Sequence, residues 1–400
     1  MSVPLLDVNA QNLPLEKELH EAFSRVLASA QFIMGPDVIA FEQECAELLE
    51  VRHAVACSSG TDALVMALMA LGLGPGDEVL LPAFTFFATA GSVARVGATP
   101  VFVDVCPICF NIDTHKIAAK ITPRTKVIMP VHLFGQSADM DAIKALAEQH
   151  NLWVIEDCAQ SIGAKYKGKS SGSIGHFGAF SFFPSKNLGG FGDSGLLVTN
   201  DDTLAEKARM MRNHGMQPKY YHAVVGGNFR MDTLQAALLR VKLPYNAQYA
   251  TARRSNAHFY NEALSQLPGV VIANPQHCQC FDQQMSHISQ ADVSIILPCQ
   301  YEHNTHVWNQ YTIRVLGNGK RDALKAFLLD RKIGCEIYYP VTMDQQECFA
   351  DTSEFSRNCC EVAHQLATEV LSIPIYGELN NEQLQTVVAA INDFLHLSGA

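Results

Sequence analysis

The sequence predicts an α/β chain: a mainly parallel sheet flanked by helices, followed by a small C-terminal α+β domain. Three observations carry this. From residue 54 onward, strand-like and helix-like stretches alternate, the pattern of a parallel sheet with crossover helices. Several of the strands are apolar throughout rather than at every second position, which implies burial on both faces. Finally, 400 residues exceed what one simple core holds, so a second, smaller unit is expected.

Residues 15–30 have helical spacing of Leu15, Leu19, Phe23, Val26 and Leu27. After Gly35-Pro36, residues 37–50 repeat that spacing, giving an N-terminal helical arm. Ala54–Cys57 is the first strand, and Ser58-Ser-Gly-Thr-Asp62 a turn opening a helix to about Leu71. Glu78–Pro82 reads as a strand, Thr85–Val96 as a helix, and Pro100–Val105 and Lys126–Val131 as strands. Asp139 is the expected N-cap of a helix over 139–150. Leu152–Asp157, Phe177–Phe183 and Leu196–Thr199 are further strands, and a helix follows near 203–213. A Gly- and Tyr-rich loop, Gly215 to Gly227, leads to a helix over about 232–243, ended by Pro244.

A long helix over 246–265 holds the expected domain boundary, dividing 1–250 from 251–400. Residues 273–300 read as an irregular surface segment. Strands are expected at His306–Val315 and Gly334–Tyr339, with helices at about 321–331, 357–368 and 381–395.

The formal net charge of −11 argues against nucleic acid, whose phosphates repel an acidic chain. The N-terminus lacks a basic stretch followed by an apolar core, and the longest apolar run, Ala63 to Leu73, is too short to span a bilayer. A cytoplasmic protein with free thiols is therefore expected, despite 12 cysteines. Cys106-Pro-Ile-Cys109 has metal-ligand spacing, with Cys278-Gln-Cys280 as a conceivable mate. The plainer reading is loop cysteines, and no metal site is expected.

The chemistry concentrates at Phe180-Ser-Phe-Phe-Pro-Ser-Lys-Asn-Leu-Gly189, an apolar strand that breaks at Pro184 and exposes Lys186. Leu152-Trp-Val-Ile-Glu-Asp157 is another apolar run, ending in a carboxylate. Pyridoxal phosphate (PLP) needs such a pair: an amine to condense with its aldehyde and a carboxylate to keep its pyridine nitrogen protonated. Lys186 stands amid Phe, Pro and Gly, which favours a desolvated and more nucleophilic amine. Ser59-Gly60-Thr61-Asp62, a Gly turn running directly into a helix, suits a phosphate. Taken alone it is also ordinary helix capping. Ser181 adds a hydroxyl in an aromatic strand. Phe84, just past a strand's C-terminal end, could stack on a pyridine or simply fill the core. Gln160 could reach the ring hydroxyl or shield the ring face.

Together these pieces resemble the fold-type I PLP aminotransferases, and among them the DegT/DnrJ/EryC1/StrS sugar aminotransferases. Matching stretches are Phe32-Ile-Met-Gly-Pro36, Ser59-Gly-Thr-Asp-Ala-Leu64, Glu156-Asp-Cys-Ala-Gln160, Ser181-Phe-Phe-Pro-Ser-Lys-Asn-Leu188, Arg212-Asn-His-Gly215 and Gly227-Asn-Phe-Arg-Met231. The resemblance implies a mostly parallel seven-stranded sheet. It implies that Lys186 bonds to the cofactor and shuttles the proton, Asp157 pairs with the pyridinium, and Phe84 stacks on the ring. Gly60, Thr61 and Ser181 would hold the phosphate, and Asn228 would reach the neighbouring subunit's phosphate, making a homodimer with composite sites. The implied reaction moves nitrogen from L-glutamate to a nucleotide-linked keto-sugar. Lys219, Arg230 and His306 are candidate cations for the nucleotide diphosphate. Resemblance in Glu336-Ile-Tyr-Tyr-Pro340 and Gln346-Glu-Cys-Phe349 favours a 3-keto UDP-sugar of the N-acetylglucosamine type, with a dTDP-4-keto-6-deoxy sugar as the alternative. Tyr339-Pro-Val-Thr-Met-Asp-Gln-Gln346 departs from the family's usual Pro-x-His segment, which concerns the sugar pocket and not the cofactor site.

Two other functional classes fit the residues less well. Gly190-Phe-Gly-Asp-Ser-Gly195 matches a dinucleotide fingerprint, but a strand rather than a helix follows it. A regulator without turnover is opposed by the intact lysine, aspartate and serine.

Overall fold

The computed structural model describes residues 1–275, 293–350 and 359–398. The chain opens with α1 (Val8–Asn12), α2 (Glu16–Ser29) and α3 (Pro36–Leu49). The main domain then alternates β1 (His53–Cys57), α4 (Gly60–Ala70), β2 (Glu78–Pro82), α5 (Phe87–Arg95), β3 (Thr99–Val103), α6 (Thr114–Ile117), β4 (Thr125–Ile128), α7 (Met140–His150) and β5 (Trp153–Asp157). A two-strand ribbon, β6 (Lys165–Tyr166) and β7 (Lys169–Ser170), precedes β8 (Phe177–Ser181) and β9 (Gly195–Thr199). The chain continues through α8 (Asp202–Arg212), α9 (Thr233–Lys242) and α10 (Asn246–Leu264).

Seven strands form one sheet in the order β1-β9-β8-β5-β4-β2-β3. β9 runs antiparallel to both neighbours, and every other pairing is parallel. The apolar strands are buried on both faces, as their composition requires. Val55 and Cys57 of β1 enter one core cluster, Ala54 and Ala56 the opposite one. β2 divides likewise, with Val79 and Leu81 on one face and Leu80 on the other. The helical arm docks on this domain through Ala22 and Val26 of α2 against Ala237 of α9.

Beyond α10 lie β10 (Val270–Ile272), β11 (Ile295–Leu297), β12 (Asn304–Thr305), β13 (Tyr311–Val315), α11 (Lys320–Asp330), α12 (Glu361–Glu369), β14 (Val370–Ile373) and α13 (Asn381–Ser398). Strands β10-β11-β13-β14 make a second sheet with its own core, while β12 pairs with β6 in the main domain. The N-terminus crosses to this second unit, where Val3 bridges to Ile333 and joins its core.

Several expected boundaries shift here. The strand expected over 306–315 starts only at Tyr311, because Val307 and Trp308 are turned into the core. Gly334–Tyr339 makes a single bridge, Glu336 to Ser372, and the sheet strand is β14, which follows α12 without an intervening turn. The segment read as irregular contains β11, with Ala273, Ile296 and Cys299 buried. Cys278 and Cys280 lie outside the described residues. Cys106 and Cys109 are buried in an apolar cluster with Ile296, Cys299 and Tyr301.

Candidate active site

A cavity of about 850 Å³ opens at the C-terminal ends of the parallel strands, where open α/β sheets bind ligands. Its walls come from the α4 N-terminus, the turn after β2, the end of β5, the β8 turn, and Tyr338, Tyr339 and Ser372 of the second unit. Of the residues expected at the site, the cavity brings together Gly60, Thr61, Asp157, Gln160, Ser181 and Lys186. They are separated by up to 126 positions in sequence (186 − 60) and meet only because parallel strands end on one side.

Ser59 caps α4, its side chain accepting the Asp62 N–H. Gly60 and Thr61 occupy the first turn, where a helix has no internal partners for its N–H groups. A Cβ on Gly60 would lie 2.7 Å from the Ser181 Cβ, so only glycine lets α4 approach β8 this closely. Ser181 Oγ accepts the Phe183 N–H at 3.3 Å, which leaves its hydroxyl hydrogen available to an anion.

Asp157 is buried at the end of β5, and burial pushes its carboxyl up. The Ala159 N–H at 3.1 Å, the Thr89 hydroxyl at 2.8 Å and the charge of Lys186 all oppose that rise. Lys186 feels the same desolvation in the opposite sense, and burial pushes its ammonium down to about 8. Among the described residues that line the cavity, it is the only lysine, arginine or histidine. Gln160 donates to the Tyr339 hydroxyl at 3.2 Å, while its buried Oε1 has no partner in the described protein.

Two expectations are corrected. Phe84 is fully buried against Phe110 and Tyr339 and does not line the cavity. Phe86, two residues on and 58% exposed, does. Sequence reasoning missed it because β2 ends at Pro82, after which strand parity no longer tells in from out. His306 also lies away from the cavity. It stacks on Trp308 with ring centroids 3.8 Å apart and accepts the Trp308 N–H at Nδ1. Burial pushes it down to about 3, so it is neutral and no partner for a diphosphate.

Lys219 lies on an exposed loop with its ammonium 5.1 Å from the Tyr220 ring centroid. Arg230 donates to Asn213 Oδ1 at 2.8 Å, and Asn228 is exposed beside it. None of the three lines the cavity of its own chain. In the segment that departs from Pro-x-His, Asp344 is buried and pairs with His364 of α12 at 2.7 Å. Among the described residues, His132, Glu156 and Cys158 have metal-ligand spacing. The Glu156 carboxylate, however, already accepts from His132 and from the Gly172, Ile174 and Gly175 N–H groups.

These residues fit a phosphorylated pyridine aldehyde. A glycine-lined helix terminus with free hydroxyls suits its phosphate, a buried carboxylate its ring nitrogen, a desolvated amine its aldehyde, and an orphaned amide oxygen its ring substituents.

The profile of the DegT/DnrJ/EryC1/StrS aminotransferase family matches residues 14–392. A relative from Geobacillus stearothermophilus, named as a pleiotropic regulatory protein, is 44% identical over 394 residues, 98% of this chain and 99% of that one. The UDP-N-acetyl-3-dehydro-alpha-D-glucosamine 3-aminotransferase of Acidithiobacillus ferrooxidans is also 44% identical, over 99% of this chain and 98% of its own. The crystal structure of DesV from S. venezuelae with a ketimine intermediate superposes with a TM-score of 0.88 at 38% identity, covering 98% of each chain. Other relatives are named as transaminases of dTDP-linked sugars. A cavity built around Lys186 and Asp157, on a chain matched almost end to end, makes this protein a member of the DegT/DnrJ/EryC1/StrS family of PLP-dependent aminotransferases.

Proposed function

We propose that the protein transfers the amino group of L-glutamate to a nucleotide-linked keto-sugar, with a 3-keto UDP-sugar of the N-acetylglucosamine type as the preferred acceptor. The observation that carries the reading is the pairing of Lys186 and Asp157 in one cavity large enough for cofactor and sugar together. The choice of acceptor is supported by the 44% identity to the A. ferrooxidans enzyme over nearly the whole chain.

When bound, PLP supplies an electron-accepting ring and an aldehyde that exchanges amines. Lys186 is the amine placed for that exchange. With its ammonium held down to about 8, a useful neutral fraction exists near neutral pH to take a proton and return it. Asp157 holds positive charge at the ring nitrogen. Gly60, Thr61 and Ser181 hold the phosphate, Phe86 covers a ring face, and Gln160 meets the ring hydroxyl. Asn228, exposed and not part of its own cavity's lining, serves the cavity of a second subunit, and Lys219 and Arg230 on the same stretch meet the nucleotide diphosphate there. The functional unit in this reading is a homodimer.

The test is a panel of UDP-3-keto and dTDP-4-keto sugars incubated with the holoenzyme and L-glutamate, read by mass spectrometry. The amino-sugar product is expected from the UDP-3-keto substrate. Amination confined to the dTDP-4-keto sugar would move the assignment to that class. The relative named as a regulator favours a second reading, binding without turnover, which holds if no keto-sugar is aminated and glutamate leaves the cofactor absorbance unchanged.

A further inference from the structure

Asp157 is joined to a second point on the cavity wall by a chain of two buried hydroxyls. Thr89, fully buried on the first turns of α5, donates from Oγ1 to Asp157 Oδ2 at 2.8 Å. Thr85, also fully buried and part of the cavity wall, lies 2.9 Å from Thr89, oxygen to oxygen. The direction of the chain is fixed by counting protons. A hydroxyl has one hydrogen to give. An ionised carboxylate only accepts, so Thr89 spends its hydrogen on Asp157 and must accept from Thr85.

The alternative is an ordinary helical threonine, which returns its hydroxyl to the backbone carbonyl one turn back. Thr89 does not follow that habit. The group it meets one turn back is the Thr85 side chain, and its own hydrogen points across to β5, 68 positions away in sequence. Thr85 precedes the extended N-cap Phe86 of α5, so it is the turn into the helix that brings its hydroxyl back onto Thr89. Phe86, between them, faces the cavity. One five-residue stretch therefore builds a wall of the site and its electrostatics together.

We propose that Thr89, supported by Thr85, is a positioning residue that fixes the orientation of the Asp157 carboxylate and keeps it ionised for the cofactor's ring nitrogen. Asp157 Oδ1 is held by the Ala159 N–H and Oδ2 by Thr89, so the carboxylate has two tethers on different elements. Removing the second frees it to rotate and leaves desolvation less opposed. This inference rests on the cofactor site and not on the identity of the sugar.

The test uses Thr89→Val, which keeps the branched shape and removes the hydroxyl, with Thr89→Ser as the rescue and Thr85→Val as the weaker perturbation. Two readouts are taken on protein loaded with PLP labelled with 15N at the ring: the PLP dissociation constant and the ring-nitrogen chemical shift. Thr89→Val is expected to bind PLP about 10- to 100-fold more weakly, the range for losing a hydrogen bond to a charged group. Its ring-nitrogen resonance should move toward that of neutral pyridine, with Thr89→Ser returning close to wild type. Thr85→Val should shift both readouts the same way by less, and serves alone if Thr89→Val does not fold. Wild-type affinity and resonance in Thr89→Val overturn the proposal. So do a Thr89→Ser protein as impaired as Thr89→Val, which would make shape the cause, and a Thr85→Val protein indistinguishable from wild type.

Discussion

Gly60 and Ser181 approach so closely that a methyl group on the glycine would stand 2.7 Å from the Ser181 Cβ. The helix terminus and the strand end converge there on one small volume, which is the proposed phosphate seat. Gly60→Ala must push α4 and β8 apart, because the three atoms it would meet, Cβ, Cα and Oγ of Ser181, are not the loose end of a long side chain. We expect PLP affinity to fall at least about tenfold, as when an anion loses a well-placed donor. Ser181→Ala should weaken binding comparably while leaving the thermal midpoint of the cofactor-free protein nearly unchanged. Equilibrium dialysis checks both, and a Gly60→Ala protein that binds PLP as tightly as wild type would remove the seat from this corner.

Phe84 and Phe86 separate the roles of core and cavity. Phe84 is enclosed by Phe110 and Tyr339, so Phe84→Ala should cost about 3–5 kcal/mol of stability. Phe86 is 58% exposed, so Phe86→Ala should leave the unfolding midpoint of the cofactor-free protein almost in place. It should weaken PLP binding by a few-fold to about tenfold, the worth of an aromatic contact. Urea unfolding and PLP titration of the two variants decide the matter. The reverse pattern restores Phe84 to the ring.

What the sequence disclosed and what it hid follow from the range of the interactions involved. Strands buried on both faces announce themselves as unbroken apolar runs, so β1 to β5, β8 and β9 were legible. Lys186 and Asp157 were legible because each closes such a run. Orientation past a strand end is set by tertiary contacts, so Phe84 was mistaken for Phe86. β14 was hidden because it leaves α12 without a glycine or proline to mark the change. His306 looked like a free cation because its burial is set by tertiary packing, and neighbouring Trp308 shows its ring to be a stacking partner only once the turn between them is known. Thr89 was not legible because its partner Asp157 lies 68 positions away, and Thr85 reaches it only through the turn before α5.

Burial of Lys186 makes the stability of the cofactor-free protein depend on pH in a fixed direction. The folded chain holds this ammonium at about 8, against an ordinary value of 10.5. Between those values the unfolded chain binds more protons, so stability rises with pH across that window. Below it both states are protonated, and the folded state carries the desolvation cost of the charge. Lys242, also pushed down to about 8 by burial, adds a rise of the same sign, so the variant must be compared with wild type. Lys186→Met should be more stable than wild type by a margin that is largest below pH 8 and narrows toward pH 10.5. Urea midpoints at pH 7.5 and 10 measure the margin, and one that stays constant with pH means the amine is not desolvated.

Asn228 tests the composite site. It is exposed and lines no part of its own chain's cavity, although it sits in the stretch that ties α8 to β1: Asn213 bridges to Asn228, and Cys57 to Arg230. An exposed residue held in place by a backbone bridge is suited to act on a neighbour. If it serves the partner's phosphate, Asn228→Ala and Lys186→Ala damage different halves of one site. Each homodimer should then be impaired, Lys186→Ala completely and Asn228→Ala through weakened PLP binding. Mixing the two subunits should create heterodimers in which one site carries both lesions and the other carries neither. Activity should therefore reappear on mixing, at a level that tracks the heterodimer fraction measured by native mass spectrometry. If Asn228 acted within its own chain, every site in the mixture would keep one lesion and no activity would return beyond the residual level of Asn228→Ala.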